Sequence, residues 1–258
     1  MIIPLTVLTS LIFSVIYPLC FWISRKDPLK NNFHKFHIAL PNVVGGVTVV
    51  YLLFADIPLA TKLVILLWKA VFIATSRISW KKSYPDALWM SIPSLLGAYA
   101  FYRVMTDLTG ATGWTPLIAW LLGGVIFCSA LFAMNLGHWY LNVHGLPIAH
   151  LKRAVDAFGF FLIVRFLWDV WLLATGKVFY GGGWMPLLRF IVKLDGFFLL
   201  IALGFGLLFP LVSLYFVHGT LKLKNTQSTT GILYVILCAI LIGDLTYKYY
   251  FIKFGIYL

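Results

Sequence analysis

The chain has 258 residues, of which 62% are hydrophobic, with a mean hydropathy of +0.95 and a net charge of +12. A soluble domain is roughly 45–50% apolar, so this composition excludes an ordinary water-soluble fold and points to a polytopic membrane protein. The positive charge does not point to nucleic acid. Lys and Arg are spread thinly over short loops in runs no longer than two, and contact with anionic lipid headgroups accounts for them.

A membrane span needs about 20 apolar residues, because the hydrocarbon core is about 30 Å thick and holds no water for exposed backbone amides. Apolar stretches of that size are expected at 2–24, 39–55, 60–77, 87–105, 115–137, 154–175, 195–217 and 229–247. The predicted fold is all-α: one transmembrane helical bundle over 1–258 with about eight spans. No positive residue precedes the first span, and Tyr17-Pro18-Leu19-Cys20 lacks a small-residue cleavage site, so this span is expected to be retained. Gly45-Gly46, Asp56 and Pro58 interrupt the second and third spans, which form either a tight hairpin or a re-entrant segment. Gly123-Gly124 in span five and Gly204-x-Gly206 in span seven would let helices approach closely. The loop from Lys177 to Pro186 contains three consecutive glycines but no Gly-Lys-Ser/Thr ending. It is expected to be an interfacial turn or a docking surface for an extrinsic subunit rather than a phosphate loop.

Orientation follows from the retention of short basic loops on the cytoplasmic side. The loops after spans one, three, five and seven hold Arg25, Lys26, Lys30, Lys35, Arg77, Lys81, Lys82, Lys152, Arg153, Lys222 and Lys224. The opposite loops hold Lys62, Arg103, Lys177, Arg189, Lys193, Lys248 and Lys253. Eleven against seven places both termini outside, as in a bacterial cytoplasmic membrane.

The chemistry-bearing residues are few. All eight acidic residues are Asp, which removes Glu-based metal and acid-base motifs, and no Gly-x-Ser-x-Gly is present. Cys20, Cys128 and Cys238 lie apart in apolar spans and are expected to be small buried hydrophobes. The histidines share one predicted membrane face: His34 and His37 before span two, His138, His144 and His150 after span five, and His218 closing span seven. Paired imidazoles from different helices are the usual ligands of a b-type haem. His138 with His218, or His37 with His138, would bracket one, with Phe36, Trp139 and Tyr215 against the macrocycle; His150 is a further candidate. The alternative is an interfacial role, where amphipathic rings are enriched.

Charges inside spans mark functional or packing sites, since a lone one costs at least about 2.5–3.5 kcal/mol. Arg165 and Asp169 are four residues apart in span six and share a helix face, which suits a structural pair or a quinone or substrate contact. Lys69 has no neighbouring acid; a carboxylate on another helix, a backbone carbonyl, a haem propionate and a lipid headgroup are all open to it. Asp244 is a further charge near the end of span eight.

The C-terminal hairpin, from His218 through Asn225-Thr226-Gln227-Ser228-Thr229-Thr230-Gly231-Ile232-Leu233-Tyr234 to Ile242-Gly243-Asp244 and Lys248-Tyr249-Tyr250-Phe251, resembles the last helix pair of NrfD/DmsC-type membrane anchors of respiratory oxidoreductases. The resemblance implies a quinone-handling subunit docked to an extrinsic iron–sulfur or cytochrome subunit, with no family quinone-site residue carried over. The expected function is therefore a membrane subunit of a respiratory or photosynthetic electron-transfer complex, handling quinone and a b-type haem. A solute or proton-coupled transporter and a structural subunit of a larger complex are the alternatives.

Overall fold

A computed structural model describes residues 1–24, 33–83, 85–143 and 145–258. Arg25, Lys26, Lys30 and His144, which entered the expectations above, lie outside the described residues. Two compact units divide the chain, residues 2–117 and 118–258. Among the described residues seven helical segments are long and apolar enough to cross a membrane, so the chain is a multi-pass, helical membrane protein in contact with lipid. An eighth helix of 23 residues occupies the predicted fourth span, its apolar character diluted by Trp, Tyr, Ser and Pro.

The first unit is built from α1 (Ile2–Ile16), continued as a 3-10 turn over Tyr17–Trp22, α2 (Phe33–Phe54), α3 (Leu59–Trp80) and α4 (Ala87–Thr109). α1 packs on α2 and α4, and α3 closes the ring between α2 and α4. The second and third spans are therefore two full helices, not a re-entrant segment, and Pro58 starts α3 where a missing N–H costs nothing. Asp86 caps α4 by accepting from the Leu88 N–H at 2.9 Å. Gly110, at φ 71°, ends it in the left-handed conformation. The centre is the fully buried Trp68. Its indole fills space that Gly45 and Gly97 leave free, and a Cβ on Gly97 would overlap both Trp68 and Val15.

The second unit contains most of α5 (Trp114–Asn142), then α6 (Ala149–Thr175), a hairpin of β1 (Lys177–Tyr180) and β2 (Gly183–Pro186), the short helices α7 (Leu187–Ile191), α8 (Leu194–Phe197) and α9 (Leu199–Leu203), a π-helical turn Gly204–Leu208, α10 (Phe209–Lys222) and α11 (Thr226–Phe254). Among the described residues, the all-α expectation is corrected only at the triple-glycine loop, which is an antiparallel hairpin with Tyr180 opposite Gly183. Gly181 and Gly182 turn it at φ 62° and 85°, values that side chains resist. Tyr180, outside the spans, donates to Asp195 Oδ2 at 2.7 Å, and this bond holds its phenol above the usual pKa.

α11 is the axis of the second unit. α5 runs antiparallel to it, with Trp120 against Phe251 and a Gly137 position that Thr230 occupies. On another side the π turn crosses α11 at Gly206 and Gly243, where a Cβ on Gly243 would overlap the Gly206 backbone. Small residues at a crossing let dispersion act between helices where lipid removes the hydrophobic drive. Gly206 thus takes the close-packing role expected of the Gly204-x-Gly206 pair, while Gly204 faces open space. Cys238 departs from expectation: it is exposed, whereas Cys20 and Cys128 are buried.

Two substitutions on α11 separate packing from helix propensity. Gly243→Ala should destabilise the detergent-solubilised protein by about 1–3 kcal/mol through overpacking. Gly231→Ala, with nothing within 4 Å of the new methyl, should be neutral or stabilise by up to about 1 kcal/mol. Thermal unfolding followed by tryptophan fluorescence reads both.

Candidate functional site

Most charged groups of a membrane protein stay in loops, so the inward-facing ones in the second unit stand out. Arg165, Asp169, Asp244 and Lys248 are 2%, 1%, 6% and 5% exposed. Each acid and base of a pair is one helical turn apart. Arg165 Nε donates to Asp169 Oδ1 at 2.8 Å on α6, and Lys248 Nζ donates to Asp244 Oδ2 on α11. Tyr247 joins the helices: its hydroxyl donates to Asp169 Oδ2 at 2.6 Å, and its ring lies 4.1 Å beneath the Arg165 guanidinium. The Lys248 ammonium sits 5.0 Å from the centre of the Trp120 ring. Asp244 Oδ1 fills the place of a Cβ on Gly123, and Arg165 Nη1 is 3.9 Å from that place. The glycine in span five is therefore what admits the carboxylate to the α5–α11 contact.

Two small cavities flank this group, each with accessible room of about 10 Å³, the space of about one water. Both are lined by Arg165, Asp244 and Tyr247. One extends toward Trp120, Phe251 and Leu258, the other toward Ile126, Gly206 and Ile240. Along α5 and α11 the cavities are stacked, so the polar group runs from the end of the unit near the C-terminus toward its middle. Arg165 Nη2 is buried and, among the described residues, has no hydrogen-bond partner. A polar cavity beside an orphaned donor is where a water is held. The π turn that supplies Gly206 is of a kind that occurs at functional sites.

The face shared by Arg165 and Asp169 is thus as expected, and Asp244 belongs with them. Lys248 corrects an expectation: assigned to an outer loop, it lies inside α11 and is buried. Its spacing of four from Asp244 was the available signal. Tyr247 carried none.

The other expected residues lie elsewhere. Lys69 takes the backbone-carbonyl alternative, donating to Asn42 O at 2.6 Å and to Asn42 Oδ1 at 3.2 Å. His37 is buried in the first unit, its Nδ1 2.7 Å from the Tyr17 hydroxyl and its ring 4.0 Å from Phe33. In the second unit His138 is exposed, with Nδ1 3.1 Å from the Tyr234 hydroxyl, and His218 Nε2 is 3.8 Å from Asp156 Oδ1. His150 Nδ1 is 2.8 Å from Arg153 Nη2. Arginine only donates, so Nδ1 accepts and the neutral ring carries its proton on Nε2. Phe36 and Tyr215, expected against a macrocycle, are 53% and 77% exposed. Among the described residues no three His, Cys or Asp side chains converge as a metal site. No protein-family model, curated protein or solved structure matches the chain.

Removing one partner of a buried ion pair leaves an uncompensated charge. Arg165→Leu should therefore cost about 3–5 kcal/mol, while the double change Arg165→Leu with Asp169→Leu should recover at least half of that loss. Unfolding in mixed micelles across the four-member cycle checks it.

Proposed function

We propose that the chain is an eight-span protein of a bacterial cytoplasmic membrane, with both termini outside, and that the second unit conducts protons through the Asp169, Tyr247, Arg165, Asp244 and Lys248 network. The observation that carries this is the coincidence of two buried carboxylates, a phenol and two one-water cavities at one place in the bundle. Intramembrane ionisable groups of this kind are retained where ions or protons pass.

The roles follow from the geometry. Asp169 and Asp244 are the proton acceptors, and Arg165, which does not deprotonate, sets their charge balance from between them. With both carboxylates ionised the four charges sum to zero. A proton arriving on either leaves a single excess positive charge, which the other carboxylate shares through Arg165. Tyr247 bonds Asp169 Oδ2 and lines both cavities, so its hydroxyl can relay between Asp169 and a water beside Asp244.

A proton-coupled transporter is the form of this activity that needs nothing further. A second reading, a quinone-handling subunit of an electron-transfer complex, is favoured by the exposed His138–Tyr234 pair at the opposite end of α11. Its hydroxyl and imidazole are hydrogen-bonding groups of the kind that receive a quinone carbonyl. Partners in that reading are extrinsic redox subunits, and a b-type haem would add a chromophore visible in a dithionite difference spectrum.

The test is proton flux into proteoliposomes under an imposed potassium–valinomycin potential, read by an entrapped pH dye. Wild type should conduct above protein-free vesicles. Asp169→Asn and Asp244→Asn should each cut the rate by about tenfold or more, and Asp156→Asn, on the surface beside His218, should leave it unchanged. Flux equal to that of empty vesicles, or unaltered in both Asn variants, would sink the proposal.

A further inference from the structure

Independently of the charge network, the first unit carries a groove between the start of α2 and the end of α3, with accessible room of about 500 Å³. Ligand sites usually fall within about 300–1,000 Å³. The helices are antiparallel neighbours, so its chemistry can be read in layers along them. At the rim stand Arg77, Trp80 and Lys81 of the α3 end, with the Lys35 ammonium 5.9 Å from the Trp80 ring. About one turn deeper, the walls are Ile38, Ala39 and Ile73.

Two polar side chains lie with these walls. Asn42 Nδ2 donates to Ser76 Oγ at 2.7 Å and to Ile38 O at 3.0 Å, while Asn42 Oδ1 is held by Lys69. The amide is thus fully used and cannot rotate freely. Ser76, 8% exposed, accepts from it, which leaves the serine O–H to donate to something in the groove. Ile73 and Trp80, by contrast, are 53% and 42% exposed and offer apolar surface.

We infer that this groove binds one anionic phospholipid. The order of its layers matches that molecule: cations at the rim for the phosphate, the Ser76 hydroxyl one residue before Arg77 for an ester oxygen, and apolar walls about one turn deeper for an acyl chain. Basic pockets between membrane helices are sites where anionic headgroups bind, because the guanidinium and ammonium meet a fixed negative charge at the edge of low dielectric. A zwitterionic lipid would bring its own cation to Arg77 and Lys81 and gain less.

The full chain is placed in nanodiscs of mixed phosphatidylglycerol and phosphatidylcholine, re-extracted in mild detergent, and its retained lipid weighed against the starting mixture by mass spectrometry. Wild type should retain phosphatidylglycerol over phosphatidylcholine by about tenfold. Arg77→Gln with Lys81→Gln should remove that preference, and Arg77→Lys with Lys81→Arg should keep it. Ile73→Trp, which fills the groove without touching its charge, should also release the lipid, and it decides the question if the double Gln variant does not fold. Excess inorganic phosphate should fail to displace the lipid, since it lacks the chains. Equal retention of the two lipids, phosphatidylglycerol still held in Ile73→Trp, displacement by phosphate alone, or an isoprenoid quinone retained in the lipid's place would each overturn the inference.

Discussion

The second unit is organised by the cost of placing charge in a medium that does not solvate it. An isolated ion transferred to low dielectric costs several kcal/mol even after relaxation, and attraction between partners offsets this only with good geometry and saturated hydrogen bonds. Arg165, Asp169, Asp244 and Lys248 meet the condition jointly save at Arg165 Nη2, the donor left facing the cavities. Each pair is local to a helix, so its partner is present before tertiary structure forms. Docking α6 against α11 then adds Tyr247, whose bond to Asp169 and stacking under Arg165 exist only in the assembled bundle. The helices are thereby fixed in rotation about their axes, which nonspecific apolar packing between lipid-like side chains does not do.

The glycines make that assembly sterically available. Gly123 opens the α5–α11 contact for the Asp244 carboxylate, and Gly206 meets Gly243 on another face of α11. These contacts surround the network, so the closest backbone approaches and the highest charge density coincide. The π turn over Gly204–Leu208 belongs to the same arrangement: the extra residue in its helical repeat shifts the register of α10 relative to α9. Gly206 lies within it, against Tyr247 and Gly243.

Sequence made much of this legible and left a definable remainder. Composition and apolar run length located the helices, because a bilayer imposes a length on every span. They underestimated the ends: His37, His138 and His150 lie inside α2, α5 and α6, since helices extend past their apolar cores into the interface. The Arg165–Asp169 pair was readable because helical spacing alone brings its members together. Asp244–Lys248 has the same spacing but straddled an assumed membrane boundary, and so was divided between span and loop. Tyr247 was unreadable, as nothing local distinguishes it from Tyr249 or Tyr250. The partner of Lys69 was equally hidden, because a backbone carbonyl carries no sequence signature.

Lys69 and Arg165 show why two intramembrane cations have different uses. Lys69 is only half-buried and is held by a neutral amide and a carbonyl on α2. Those acceptors solvate its charge without titrating, so the site positions Asn42 and has no second carrier to which a proton could move. Arg165 is fully enclosed, and neutral acceptors would not compensate it; it is matched by carboxylates, which can titrate. The deeper burial is therefore matched by ionisable groups, and their near-neutral sum would keep the cost of one added proton to that of one excess charge. Proton handling is a property available to the Arg165 cluster for the same physical reason that allows the cluster to be buried.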